Sequence, residues 1–98
     1  MVNTTTNLPK NNQKNDKSIY VEIKNKEGAI FEGEVKALTS INERGIFDIL
    51  PLHENFISVI KDHLTIHKTN GEKQDIKITQ GVVRVVENKV SVYVGFEA

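Results

Sequence analysis

Gly45-Ile46-Phe47-Asp48-Ile49-Leu50-Pro51-Leu52-His53-Glu54-Asn55-Phe56-Ile57 is the densest apolar run in this 98-residue chain, and a proline and a histidine interrupt it at its centre. On both sides of it the sequence alternates apolar and polar residues with the period of two that marks half-buried strands. An interrupted apolar segment in such a setting is a corner where the chain crosses between sheets, or a surface that a partner covers. A helix over Glu54 to Asp62 competes with this reading, because Leu52, Phe56, Ile60 and Leu64 are four apart. The β-branched Ile57, Val59 and Ile60 and the lack of a cap pair oppose it. The expectation is a loop at Pro51–Asn55 followed by a strand from Phe56 to Ile60.

Upstream, Ile19, Val21 and Ile23 alternate with Tyr20, Glu22 and Lys24, and Asn25-Lys26-Glu27-Gly28 has the composition of a turn. Ile30, Phe31, Val35 and Leu38 form a second extended stretch, in which Gly33 marks a bulge or a close backbone approach. Asn42-Glu43-Arg44-Gly45 is a polar turn into the central run. Downstream, Leu64 and Ile66 precede Asn70-Gly71, a strong hairpin signal, and Ile76 and Ile78 alternate on the return. Gln80-Gly81 reads as a break before Val83-Arg84-Val85, and Glu87-Asn88-Lys89 as a last turn before Val90, Val92 and Val94. Strands recurring at such short intervals predict an all-β, two-sheet β-sandwich of about eight to ten short strands.

Residues 1–17 differ from the rest. They are mostly Asn, Thr, Lys and Gln, with Lys10, Lys14 and Lys17 against Asp16, and they lack the apolar area needed to offset the entropy of ordering. They are expected to form a disordered polar tail, leaving residues 18–98 as one sandwich domain. The chain has no cysteine, which excludes disulfides and thiolate metal sites. Its formal net charge is zero, and no Lys/Arg run with interleaved aromatics gives a nucleic-acid footprint. Neither a secretory h-region nor a run long enough for a membrane-spanning helix is present.

No constellation argues for catalysis. His63 and His67 have zinc-like spacing only on a helix; on a strand their positions are about 13 Å apart, and they read as two surface histidines of one sheet face. His53, beside Pro51, reads as a hydrogen-bonded corner residue. Glu22, Glu32, Glu43, Glu72 and Glu87 fall in turns or on polar strand faces, with no spacing that makes an acid/base pair. The glycines form no phosphate loop, and no serine has a nucleophile-elbow context. Catalytic residues, metal ligands, cofactors and small-molecule ligands are therefore not expected.

Gly33-Glu34-Val35, Asn42-Glu43-Arg44-Gly45 and Ile49-Leu50-Pro51-Leu52-His53 resemble, in order and spacing, the N-terminal β-sandwich of the epsilon subunit of F-type ATP synthases. Gly81-Val82-Val83-Arg84-Val85 and Asn88-Lys89-Val90-Ser91-Val92 extend the resemblance over Ser18 to Phe96. It implies a non-catalytic rotor subunit of the central stalk that couples the gamma subunit to the c-ring. Such a subunit is cytoplasmic and peripheral on the inner face of an energy-coupling membrane, without inserting into it. Carried over by position, Pro51, Leu52, His53 and Phe56 would form the gamma-subunit interface. Asn42, Glu43, Arg44, Ile46 and Phe47 would form the turn facing the c-ring.

Three departures qualify the resemblance. Leu52 stands where the family usually has glycine, which is costly if that position needs positive φ. Ile46 replaces a usual acidic residue. The chain ends at Ala98 without the family's two-helix C-terminal domain, as a naturally short form or as the sandwich part alone. These departures leave a second reading, a free-standing β-sandwich protein-binding module that is no longer part of an ATP synthase.

Overall fold

Alternation alone accounts for most of the strands. In the computed structural model, which describes residues 17–95, there are seven: β1 (Ile19–Asn25), β2 (Gly28–Val35), β3 (Ala37–Asn42), β4 (Gly45–Ile49), β5 (Phe56–His67), β6 (Lys73–Val86) and β7 (Lys89–Val94). They form one hydrogen-bonded ribbon in the order β2-β1-β7-β6-β5-β3-β4, antiparallel except for the parallel β1–β7 pair. The central run resolves into β4, a loop and the start of β5, and no described residue is helical. The expected tail lies outside the described residues, apart from Lys17.

The ribbon folds on itself because its two longest strands bend. β5 has 12 residues and β6 has 14. Pairing between them shifts register between Lys61 and His63, where Asp62 takes a positive φ of 75°. On one side of the bend, the first half of β5 and the second half of β6 continue into β7, β1 and β2. On the other side, the second half of β5 carries β3 and β4. Ser40, buried between the layers, donates its hydroxyl to the His63 carbonyl at 2.8 Å beside this bend. These continuous strands explain why seven elements are present rather than eight to ten. Gln80-Gly81 does not end a strand, and Ile60 and Leu64 belong to the same one.

Between the layers lies a core of aliphatic side chains supplied by alternate positions. Ile19, Val21 and Ile23 of β1, Val83 and Val85 of β6, and Val90 and Val92 of β7 pack with Leu38, Ile49, Ile60, Leu64 and Ile66. Each is essentially removed from water, which contributes roughly 1.5–3 kcal/mol per large aliphatic side chain before the entropy of ordering is set against it.

Several local details differ from the sequence expectations. The stretch from Ile30 to Leu38 is two strands, because the chain changes partner at Lys36: β2 pairs with β1, and β3 with β4 and β5. Gly33 sits in regular register opposite Val21, and the irregularity falls instead at Ile30, opposite the Ile23–Lys24 step. The close backbone approach is at Gly81, where a Cβ would lie 2.5 Å from the Tyr93 carbonyl oxygen. Asn70-Gly71 does form a hairpin, but one with a longer loop. Lys68 N–H donates to the Glu72 carbonyl, Gly71 N–H donates to Lys68, and Gly71 takes φ 94°. This is the three-residue loop closed by a left-handed glycine.

Candidate docking surface

The loop between β4 and β5 is short, exposed and firmly held. Its turn closes by a His53 N–H to Leu50 carbonyl bond of 3.1 Å. Two further bonds reach across the molecule to the β6–β7 turn. Leu52 N–H donates to Asn88 Oδ1 at 2.6 Å, and Asn55 Oδ1 accepts from Glu87 N–H at 2.9 Å. Glu87 and Asn88 both have positive φ, as a two-residue hairpin turn that follows strand twist requires.

Within the loop the apolar side chains face water. Leu50 is 52% exposed and Leu52 64%, while Pro51 and His53 are half-buried. The His53 ring lies 4.8 Å from the Phe56 ring, and its Nδ1 is 2.7 Å from the Glu54 carbonyl, so Nδ1 carries a proton there. Phe56 meets Phe47 edge to face, with centroids 6.0 Å apart. A row His53–Phe56–Phe47 therefore links the loop to β4. This brings together Pro51, Leu52, His53 and Phe56, the residues expected at a gamma interface.

The second expected group is on the β3–β4 hairpin. Asn42 pairs with Gly45, leaving Glu43 and Arg44 as a two-residue tip. Asn42 Oδ1 accepts from Arg44 N–H at 2.8 Å, and its amide nitrogen donates to Ser58 Oγ at 3.1 Å. Ile46 projects outward at 75% exposure, whereas the alternation of β4 turns Phe47 inward against the core and Phe56. A groove of about 660 Å³ separates this tip from Ile57, Val59 and Lys61 of β5.

Sequence reasoning missed a third feature. Ile57, Val59, Val82 and Tyr93 are exposed on the outer face of the layer that contains β7. Val59 is opposite Val82, and Val82 is opposite Tyr93, so they form a continuous row. The signal was in Phe56-Ile57-Ser58-Val59-Ile60, which is apolar on both faces of a strand that an ordinary outer layer would leave polar on one. The histidines behave as strand residues. His67 Nε2 lies 2.8 Å from Thr39 Oγ1, whose proton goes to Asp48, while buried His63 Nδ1 has no hydrogen-bond partner.

The family model for the ATP synthase delta/epsilon chain β-sandwich domain matches residues 18–95. The chain belongs to that family. An ATP synthase epsilon chain of a Nitratiruptor species is 37% identical over 78 residues, covering 79% of this chain and 60% of the relative. The Campylobacter fetus epsilon chain is 33% identical over the same length, with the same coverage. The chain thus spans about three-fifths of the length of the curated relatives it matches. A chain in the Euglena gracilis mitochondrial ATP synthase structure (OSCP, F1 and c-ring) superposes with a TM-score of 0.75 at 20% identity. The alignment covers 80% of this chain and 51% of that one. A chain in the Tetrahymena thermophila central stalk and c-ring structure gives 0.67 at 15% identity, covering 87% and 67%. At these identities the structural likeness establishes the fold, and membership of the delta/epsilon chain family rests on the family model.

Proposed function

We infer that this epsilon-type sandwich is a non-catalytic coupling domain of an F-type ATP synthase rotor. Its Pro51–Phe56 surface docks on the gamma subunit, and its Asn42–Phe47 hairpin faces the c-ring. The observation that carries this reading is the loop itself. Leu50 and Leu52 are held in water by a backbone fixed through Asn88 and Asn55, and His53 is stacked on Phe56. An apolar surface kept rigid before a partner arrives loses little entropy when it binds. The domain would attach to the cytoplasmic face of the membrane through its partners; among the described residues no helix is long and apolar enough to cross one.

The test is capture of a gamma subunit by purified chain. Leu52→Asp and His53→Glu are expected to weaken capture at least tenfold while leaving the thermal midpoint within a few degrees of the parent. Unchanged capture by both folded variants would move the interface elsewhere.

A further inference from the structure

At the end of β3 opposite the Glu43–Arg44 tip, a depression of about 330 Å³ is lined by Lys36, His67, Lys68 and Lys73, with Asp48 and Leu50 at its margin. It is assembled from three separate pieces of chain: the β2–β3 link, β4 with the residue after it, and the hairpin from the end of β5 to the start of β6. The backbone there is fixed: the Lys36 N–H donates to the His67 carbonyl at 2.8 Å, and the Lys68 N–H to the Glu72 carbonyl at 2.8 Å. Among the described residues none of these three lysines comes within 4 Å of a carboxylate, whereas Lys24 pairs with Glu22 at 3.3 Å. The Asp48 carboxylate is occupied by the Thr39 hydroxyl, and that hydroxyl accepts from His67 Nε2. The lining therefore carries three ammonium groups against one engaged carboxylate, in a chain whose formal net charge is zero.

We propose that this depression binds a phosphate group carrying two or more negative charges, on a small molecule or a lipid headgroup. Three lysines lining one depression suit a phosphate as point charges, whereas a single carboxylate would leave most of their charge uncompensated. The concavity is too small for a folded segment of a partner. Leu50, exposed at the rim, gives room for an apolar or ring substituent beyond the phosphate. The depression shares only Leu50, at its rim, with the loop assigned to gamma, and its lysines lie outside that loop, so the phosphate reading is tested without that assignment.

The experiment is a backbone amide NMR titration of the full chain with sodium pyrophosphate, against sodium chloride at matched ionic strength. Saturating shifts confined to Lys36, Lys68, Gly71 and Lys73 are expected with pyrophosphate alone. Affinity should fall at least fivefold in Lys36→Gln and Lys68→Gln, whose spectra show whether the fold is retained. Shifts that grow without saturating, or that persist unchanged in both folded variants, would overturn the proposal. Phosphatidylglycerol vesicles, with phosphatidylcholine vesicles as control, identify the source. Vesicle binding competed by pyrophosphate assigns the site to a lipid headgroup, and pyrophosphate binding without vesicle binding assigns it to a soluble phosphate. Vesicle binding that pyrophosphate does not displace, with no saturable pyrophosphate shifts, would reduce the lysines to a diffuse surface charge and sink the pocket.

Discussion

Leu52 holds a left-handed backbone conformation, φ 66°, that an L-residue with a Cβ adopts at a cost of roughly 1–2 kcal/mol. Its side chain recovers little of that by burial, being 64% exposed. The departure was legible in the sequence, because the resemblance places a glycine there. Leu52→Gly should therefore raise stability by about 0.5–1 kcal/mol, once the greater freedom of glycine in the unfolded chain is subtracted. For a domain of this size that is a rise of a few degrees in thermal midpoint, measured by circular dichroism. A fall would show that Leu52 makes contacts worth more than the strain. A second residue-scale prediction concerns Tyr20, whose hydroxyl donates to Glu32 Oε2 at 2.7 Å across the β1–β2 pair. That hydrogen bond, with smaller contributions from desolvation and from the charges of Glu32 and Glu22, raises its pKa above the ordinary phenol value. A raised folded-state pKa means that the contact contributes below the unfolded-state value, near 10, and is lost as pH climbs through the folded-state value. In a Tyr93→Phe background, phenolate absorbance should rise at a higher pH in the native chain than in the unfolded one, and Glu32→Gln should move the native midpoint back down.

At the scale of elements, hairpin and loop cannot be treated separately. The β6–β7 turn carries Asn88, whose side chain accepts from Leu52 N–H, and Asn55 of the loop accepts in turn from Glu87 N–H. Sequence alone identified both segments as turns, but gave no sign that they clasp one another across more than 30 residues of chain. Such pairing depends on the three-dimensional meeting of two irregular segments and leaves no periodic trace. Asn88→Ala removes the acceptor and places alanine in a left-handed position that asparagine tolerates better. It should cost about 1–2 kcal/mol, and hydrogen exchange at the Leu52 amide should accelerate by more than this global loss explains. Exchange that rises only in step with global stability would mean that the loop holds its shape without the clasp. The bends are illegible for a related reason. Asp62 has no glycine or proline beside it to announce its positive φ, and Gly81, read as a break, is instead a point in a continuous strand where Tyr93 comes too close for a side chain. A local propensity reading registers the glycine but not the backbone that demands it.

For the whole molecule, period-two alternation was sufficient to predict a sandwich, because buried residues recur at every second position of β1, of β7 and of the second half of β6. It was insufficient to predict that the sandwich is one folded ribbon, since the same pattern fits two sheets joined only by loops. The difference has a thermodynamic consequence. β5 and β6 are 12 and 14 residues long and contribute to both layers, so neither layer can lose its order without pulling apart strands that hold the other. Ile23, fully buried on β1, belongs to one layer, and Leu38, fully buried on β3, to the other. Truncation of either to alanine leaves a cavity that costs roughly 2–5 kcal/mol. Ile23→Ala and Leu38→Ala should accordingly shift the same single unfolding transition to lower temperature, with calorimetric and van't Hoff enthalpies equal in both variants. Two sheets joined only by loops could instead uncouple, and the weakened sheet would then melt first. A scan that splits into two resolved transitions in either variant would show that the shared strands do not bind the layers into one cooperative unit.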